Sequence, residues 1–273
     1  MARPVAVELS LPVRPGGLLD LAQKFPGGWE RGVAFQDSAC LTTTLVGECP
    51  QVTGLAEYQR PSVATFTPVV VQSAVKCSTM GNVDVGALAG SVAAATADFA
   101  VSREMLTGEI SERDTPDDSP FGPNPSLVGA AQDLGATHTT LAKALACLEA
   151  TIAEDTEGRT AVLLVGYDWL TYAVDAQLLR WDGNTWRTPA GSLVIPASGF
   201  DGRAPGSTEP PDSGDALYAY AVVGVWAQLG RQDSFDYVNR AINDQLARSD
   251  ILALFAFPTC AVYAAASTVA TAC

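Results

Sequence analysis

Chemistry in this chain would have to be built from few side chains. The 273 residues include one histidine, His138, and three lysines, Lys24, Lys76 and Lys143. A Ser/His/Asp triad needs a histidine as its base. His138 stands between Thr137 and Thr139 at an expected helix start, where it reads as a surface or cap residue. No GxSxG elbow and no GxxxxGK[ST] phosphate loop occur. "GALAG", residues 86–90, lacks the GxGxxG spacing and falls inside an expected helix, where its glycines permit close packing. Paired carboxylates occur at Asp117 and Asp118, in a Pro-rich loop, and at Glu154, Asp155 and Glu157, at a helix end. General acid–base work needs such groups held in a cleft; both places read as solvated. Acids at a helix C-terminus also oppose its dipole, as expected of an exposed turn. Trp181, Trp186, Tyr218, Tyr220 and Trp226 could line a sugar or base site, but core packing is the plainer reading. No catalytic, cofactor-binding or metal-binding residue is therefore expected. An enzyme with an acidic or aromatic cleft using Asp117, Asp118 or His138 is the distant alternative.

The six cysteines, Cys40, Cys49, Cys77, Cys147, Cys260 and Cys273, contain no CxxC pair. With a single histidine they leave no zinc set. "MARPVAVELSLPV" carries no sustained apolar segment of the secretory kind. Cytoplasmic synthesis and free thiols follow as expectations, with Cys147 a small hydrophobe on a helix face. Cys40 and Cys49 flank a short Thr-rich segment and could pair on later oxidation. The net charge of -14 argues against a broad nucleic-acid-binding face. Arg3, Arg14, Lys24 and Arg31 are scattered solvated charges in the N-terminal part. Only 17% of residues are charged while 48% are hydrophobic, against about a quarter charged in ordinary domains. Such a chain leaves much of its outside to be covered by partners.

The elements that would carry these residues follow from periodicity. Residues 1–35, with "RPGG" and "FPGGWERG", read as an extended arm, and 36–66 as a long loop or hairpin. "FTPVVVQSAVKCS" from Phe66 is strand-like. A long helix is expected over 84–107, capped by Asp84 and ended by Gly108, with Val85, Leu88, Val92, Ala95, Phe99 and Leu106 as its apolar face. The opposite face is mostly Ala, Ser and Thr, suited to neighbours that approach closely. A second helix from about Thr137 places Leu141, Leu145, Leu148 and Ile152 on one face and closes at Gly158. "TAVLLVG" is a strand covered on both faces, "YDWLTYAVDA" a short helix, and 178–188 a hairpin turning at Asp182, Gly183 and Asn184. "SLVIPASGF" and "ALYAYAVVGVWAQLG" are strands, and strands return from Asp233. The apolar stretch Ile251–Ala270 is interrupted by Pro258 and reads as core, not as a membrane span. The fold class is α+β.

This order of segments resembles the major capsid protein of tailed bacteriophages, a fold shared with encapsulin shells. The likeness is greatest to actinobacterial-phage capsid proteins over "LLRWDGNTWRTPAGSLVIPASGF" and "GDALYAYAVVGVWAQLG". The resemblance implies an N-terminal arm at 1–31, an extended loop region at 32–68, a peripheral domain at 69–130 with its spine helix at 84–107, an axial domain at 131–232, and returning peripheral strands at 233–273. It also implies a non-enzymatic structural subunit that assembles with itself as pentamers and hexamers into an icosahedral head enclosing double-stranded DNA. That head would form in the host cytoplasm. Portal, scaffolding and decoration proteins are implied partners; packaged DNA is touched only weakly, and no membrane is involved. Some relatives cross-link a Lys to an Asn, but Lys76 is the only lysine near the loop region, so that chemistry is not carried over. No coiled-coil prefix precedes the arm, which implies a separate scaffold or none. An encapsulin-like bacterial compartment is the alternative. Arm and loop are expected to order only when held by neighbouring copies.

Overall fold

The computed structural model describes residues 16–37, 62–78, 84–114, 122–134, 140–212, 215–239 and 244–267. Its framework is one long helix serving two sheets. Helix α2, Val85–Thr107, starts where Asp84 accepts a hydrogen bond from the Ala87 N–H, and ends at Gly108 in the left-handed region at φ 68°. A short turn α1 (Leu18–Leu21) precedes it, together with a 3-10 turn at Trp29–Arg31. Strands β1 (Val33–Asp37), β2 (Ser62–Phe66) and β3 (Val69–Ser78) also come before α2. Both ends of α2 match the expected boundaries. Of its expected apolar face only Val85 and Leu106 are buried. Val85, Ala89, Ala93, Ala97, Val101 and Met105 are buried, whereas Phe99 is 54% exposed. Three of the six residues in this series with a spacing of four are alanines, at 89, 93 and 97, whose small side chains let the helix axis approach the strands closely.

The smaller sheet has the order β10-β11-β3, with β10 at Trp226–Asn239 and β11 at Asp244–Ala256. All its pairings are antiparallel. Helix α2 lies on β3 and β11. After α2 come α3 (Glu109–Asp114), α4 (Leu127–Ala130), β4 (Gln132–Asp133), α5 (Leu141–Asp155), β5 (Val162–Val165) and α6 (Tyr167–Asp175). The chain continues with β6 (Arg180–Asp182), β7 (Thr185–Arg187), β8 (Leu193–Pro196) and β9 (Leu217–Val222), and β12 (Tyr263–Ser267) follows β11. The larger sheet runs β4-β12-β9-β5-β8-β7-β6. Strand β5 is parallel to β8 and antiparallel to β9. Its apolar run is explained by two covered faces: Leu163 and Val165 pack with Leu145, Leu148, Ile152 and Trp169 of α5 and α6, while Leu164 joins the main core.

The last strands divide between the sheets, which corrects the expected return of 233–273 to one sheet and the inclusion of 226–232 with the larger one. Trp226 pairs with Ala256, so β10 already belongs to the smaller sheet, and Tyr263 pairs with Ala221, so β12 belongs to the larger. Gly224 and Pro258 mark the two crossings; proline has no N–H to continue a ladder. The stretch 251–257 and the segment 261–267 are buried, as expected of core. Helix α2 is the one helix among the described residues long and apolar enough to cross a bilayer, yet its inner face is occupied by the smaller sheet.

Residues 16–31, expected to form an arm held by other copies, are instead packed on their own chain. Leu18 and Trp29 are buried, Gln23 bridges to Trp226, and the Phe25 N–H donates to Gln228 Oε1 at 3.0 Å. Lys24 Nζ donates to the carbonyls of Leu19 and, at 3.2 Å, Ala227. Strands β1 and β2 pair antiparallel from Val33↔Phe66 to Asp37↔Ser62, the two sides of a hairpin within the expected loop region. The expectation of free thiols holds at Cys147 and is corrected at Cys260, which is disulfide-bonded. His138, Asp117, Asp118, Cys40, Cys49 and Cys273 lie outside the described residues.

The two sheets are joined where the loop after β8 meets α2. The Gly199 N–H donates to Ser102 Oγ at 2.8 Å, and Ser198 Oγ donates to Asp98 Oδ2 at 2.9 Å. The other oxygen of Asp98 accepts from the Leu19 N–H at 2.9 Å. A Cβ on residue 199 would lie 2.4 Å from the Arg103 nitrogen and 2.6 Å from the Phe99 carbonyl oxygen. Both are helix backbone and cannot step aside. Gly199→Ala is expected to cost about 1–3 kcal/mol by overpacking, read as a thermal midpoint lowered by roughly 4 °C or more. Gly27→Ala, with nothing within 4 Å of the new carbon, should leave the midpoint nearly unchanged.

Candidate functional site

Beside this junction lies the largest concentration of buried charge among the described residues. Arg203 is 2% exposed. Its guanidinium donates to Asp201 through Nε at 3.1 Å and Nη2 at 2.9 Å, to the Thr208 carbonyl at 3.0 Å, and to Glu109 at 3.4 Å. Arg103 of α2 pairs with Asp201 as well, and lies 3.6 Å from Glu109. Below them Glu104, fully buried, accepts from the N–H groups of Ile110 and Ser111 at 2.8 Å each, tying α3 to α2. Tyr220 OH donates to the Arg203 carbonyl at 2.8 Å, and burial pushes its phenol above the ordinary value. Asn124, also buried, donates to the Thr67 carbonyl at 2.9 Å and accepts from the Thr67 N–H at 2.6 Å. This closes the segment before α4 onto the β2–β3 turn.

Burial alone would raise the Asp201 carboxyl, but hydrogen bonds from Arg203 and Arg103 and the charge of Arg203 together hold it below the ordinary value. Asp201 and Glu109 are answered by arginines, and Glu104 by the N–H groups of Ile110 and Ser111. The arrangement therefore holds elements together; it does not offer a reactive group.

The residues singled out from sequence are dispersed. Glu154, Asp155 and Glu157 sit exposed at the end of α5. Asp155 accepts a hydrogen bond from Tyr263 OH, whose phenol is pushed up to about 12, first by burial and then by that bond. Tyr218 OH reaches Asp133 at 3.4 Å, and Trp226 opens β10. Only Trp181 and Trp186 are brought together: they are cross-strand partners in the β6–β7 hairpin with centroids 4.9 Å apart. Among the described residues no group of three His, Cys, Asp or Glu side chains could hold a metal ion. Sequence reasoning missed the Arg103–Asp201–Arg203 cluster. The DGR triplet at 201–203 was its only local trace, and nothing in spacing connects it to position 103.

The single chain also leaves apolar side chains uncovered, among exposed charges such as Arg231 and Asp233. On the outer face of the smaller sheet, Phe235 lies opposite Arg248, whose guanidinium is 6.0 Å from the ring, and Tyr237 lies opposite Leu246. Phe235, Tyr237, Leu246 and Val70 are between 42% and 62% exposed. Trp181 at the far edge of the larger sheet is 54% exposed. On the smaller sheet these apolar side chains are interleaved with the polar Gln72, Arg248 and Asp250.

No protein-family model matches the chain, and no curated protein matches it. Solved structures do match along nearly its whole length. The structure titled Gordonia phage Cozz is 12% identical, with 98% of this chain and 92% of that one covered and a TM-score of 0.56. The capsid of a native GTA particle, computed with C5 symmetry, is 11% identical over 98% and 96%, with a TM-score of 0.59. The structure titled Mycobacterium phage Adephagia is 13% identical over 98% and 95%, with a TM-score of 0.56. The chain therefore has the α+β fold found in phage capsids.

The charged cluster has a testable consequence. Asp201→Asn leaves buried Arg203 with Glu109 as its remaining carboxylate partner, and a loss of about 1–3 kcal/mol is expected. The Asp201 carboxyl titrates lower in the folded chain than in the unfolded chain. Its contribution is therefore present above the ordinary 3.8 and lost as pH falls below that value through the folded one. Urea unfolding at pH 6 and pH 3 should show the wild-type chain losing more stability on acidification than Asp201→Asn does.

Proposed function

We propose that this chain is the major capsid protein of a tailed phage: a structural subunit that assembles with itself, as pentamers and hexamers, into an icosahedral head around double-stranded DNA. The observation that carries this reading is that 98% of the chain aligns with 96% of a capsid structure at a TM-score of 0.59. The larger sheet with α5 and α6 corresponds to the axial domain, α2 to the spine helix, and the smaller sheet to the peripheral domain. The β1–β2 ladder falls in the extended loop region, 32–68.

The physical chemistry is consistent with this role. A subunit whose outer sheet face shows Phe235, Tyr237 and Leu246 gains by burying that face against a copy of itself. A net charge of -14 limits adhesion of packaged DNA to the wall. The location that follows is the virion shell, assembled in the host cytoplasm; portal, scaffolding and decoration proteins are the further partners of such a subunit.

Expression of the chain, alone and with co-expressed scaffold, followed by negative-stain microscopy, is expected to show closed shells or rings of subunits. Monomers under every assembly condition would contradict the proposal. Closed shells that load a cargo peptide and never DNA would instead indicate an encapsulin-like compartment.

A further inference from the structure

Strands β1 and β2 form a two-stranded sheet of their own, paired with neither of the larger two among the described residues. Two strands alone are marginal in water, so the direction of the hairpin is set where it meets the rest of the chain. Three contacts converge on that root. Phe66, fully buried, stands edge-on to Phe255 and Phe257, with centroids 6.0 and 5.5 Å away. Gly32, which leads into β1, lies against the carbonyl of Phe66: a Cβ there would be 2.9 Å from that oxygen. Thr67 and Pro68 connect β2 to β3, and the side-chain amide of Asn124 takes Thr67 from both sides. Its Oδ1 accepts from the Thr67 N–H at 2.6 Å and from Thr67 Oγ1 at 3.0 Å, and its Nδ2 donates to the Thr67 carbonyl at 2.9 Å.

These contacts do different things. Apolar burial is non-directional; it fixes where Phe66 sits and leaves the hairpin free to turn about it. Hydrogen bonds are directional, and the two backbone bonds of Asn124 straddle the φ and ψ of Thr67. Proline at 68 fixes its own φ and confines Thr67 to extended backbone. Turning the hairpin against β3 therefore draws on the angles of Thr67 and strains these bonds. Asn124 is itself held from the end of α2. Its N–H donates to Ser111 Oγ at 3.2 Å, the Ser111 N–H donates to Glu104 at 2.8 Å, and all three residues are buried. We propose that Asn124 is a positioning residue for assembly: it sets the angle between the β1–β2 hairpin and the smaller sheet, and a constant angle there lets copies close into shells of one size. The role in assembly rests on the capsid reading; the pinning of the hairpin does not.

The test uses the full chain as wild type, Asn124→Ala, Gly32→Ala, Thr67→Val and Leu148→Ala. The last removes a buried side chain of the α5 core and controls for lost stability alone. Each form is followed by thermal unfolding, by hydrogen exchange of the unassembled chain, and by negative-stain microscopy of assembled particles. Asn124→Ala and Gly32→Ala are expected to speed exchange of the β1 and β2 amides about tenfold more than that of α5 and β5, and to scatter the particle diameter. Thr67→Val keeps both backbone bonds and should match wild type on both readouts. Leu148→Ala should lower the unfolding midpoint with β1–β2 exchange and particle diameter as in wild type. If Asn124→Ala failed to fold, Gly32→Ala would carry the test. Wild-type exchange in Asn124→Ala would overturn the pinning. Faster exchange with an unchanged particle diameter would overturn the role in assembly. Particles equally scattered in Leu148→Ala would overturn that role too, leaving only a stabilising contact. A wild-type chain that never assembles would overturn the capsid reading, and the exchange measurement would still decide the pinning.

Discussion

The structure depends on one close approach. The backbone at Gly199 lies against α2 so tightly that no side chain fits between them, and Ser102 fills the remaining polar need by accepting the Gly199 N–H. Ser102 Oγ in turn donates to the Asp98 carbonyl at 2.6 Å, so the helix keeps its own ladder while binding the loop. Asp98 adds Ser198 and Leu19 to the same point. Three chain segments distant in sequence, at Leu19, α2 and Ser198–Gly199, thus meet within about one helical turn. The salt-bridged arginines beside it extend the same function outward, and their burial is tolerable only because Asp201 and Glu109 accompany them.

This joint explains why the molecule can serve as a building block. A subunit that repeats in a closed shell must present its faces at a constant angle, and here the larger and smaller sheets share both a core and a helix. Val71, Ala97, Ile195, Tyr220 and Phe255, drawn from both sheets and from α2, belong to one buried cluster together with Phe66 of β2. The strands cross between the sheets at Gly224 and again near Pro258, so pulling the sheets apart would break covalently continuous elements at two places. Surfaces left apolar by this economy, on β10, β11 and the β6–β7 hairpin, are where copies can add to one another without disturbing the joint.

Much of this was legible in the residues, for identifiable reasons. Asp84 and Gly108 delimit α2 because a cap and a left-handed residue are local features. The β6–β7 turn at Gly183 and Asn184 is likewise local, and α5 showed its buried Leu145, Leu148 and Ile152. The buried face of α2 was not legible: apolar residues occur around most of the helix, and the alanine series 89, 93, 97 wins only because a sheet lies close enough to demand it. The split of β11 and β12 between sheets was hidden in one apolar run, since both sheets reward the same composition. The placement of residues 16–31 on their own chain depends on Trp29 lying 3.1 Å from the Cβ position of Gly230, a long-range contact that no local pattern announces. The charged cluster joins positions 103, 109, 201 and 203, and only the folded chain brings them together.

Differential scanning calorimetry of the soluble chain, compared with Ser102→Ala, tests the joint most directly. The account predicts one cooperative transition for the wild-type chain, with calorimetric and van't Hoff enthalpies in agreement, and a lowered midpoint or a split transition for Ser102→Ala. Two independent transitions in the wild type, or a variant indistinguishable from it, would contradict the claim that this contact makes the two sheets a single body.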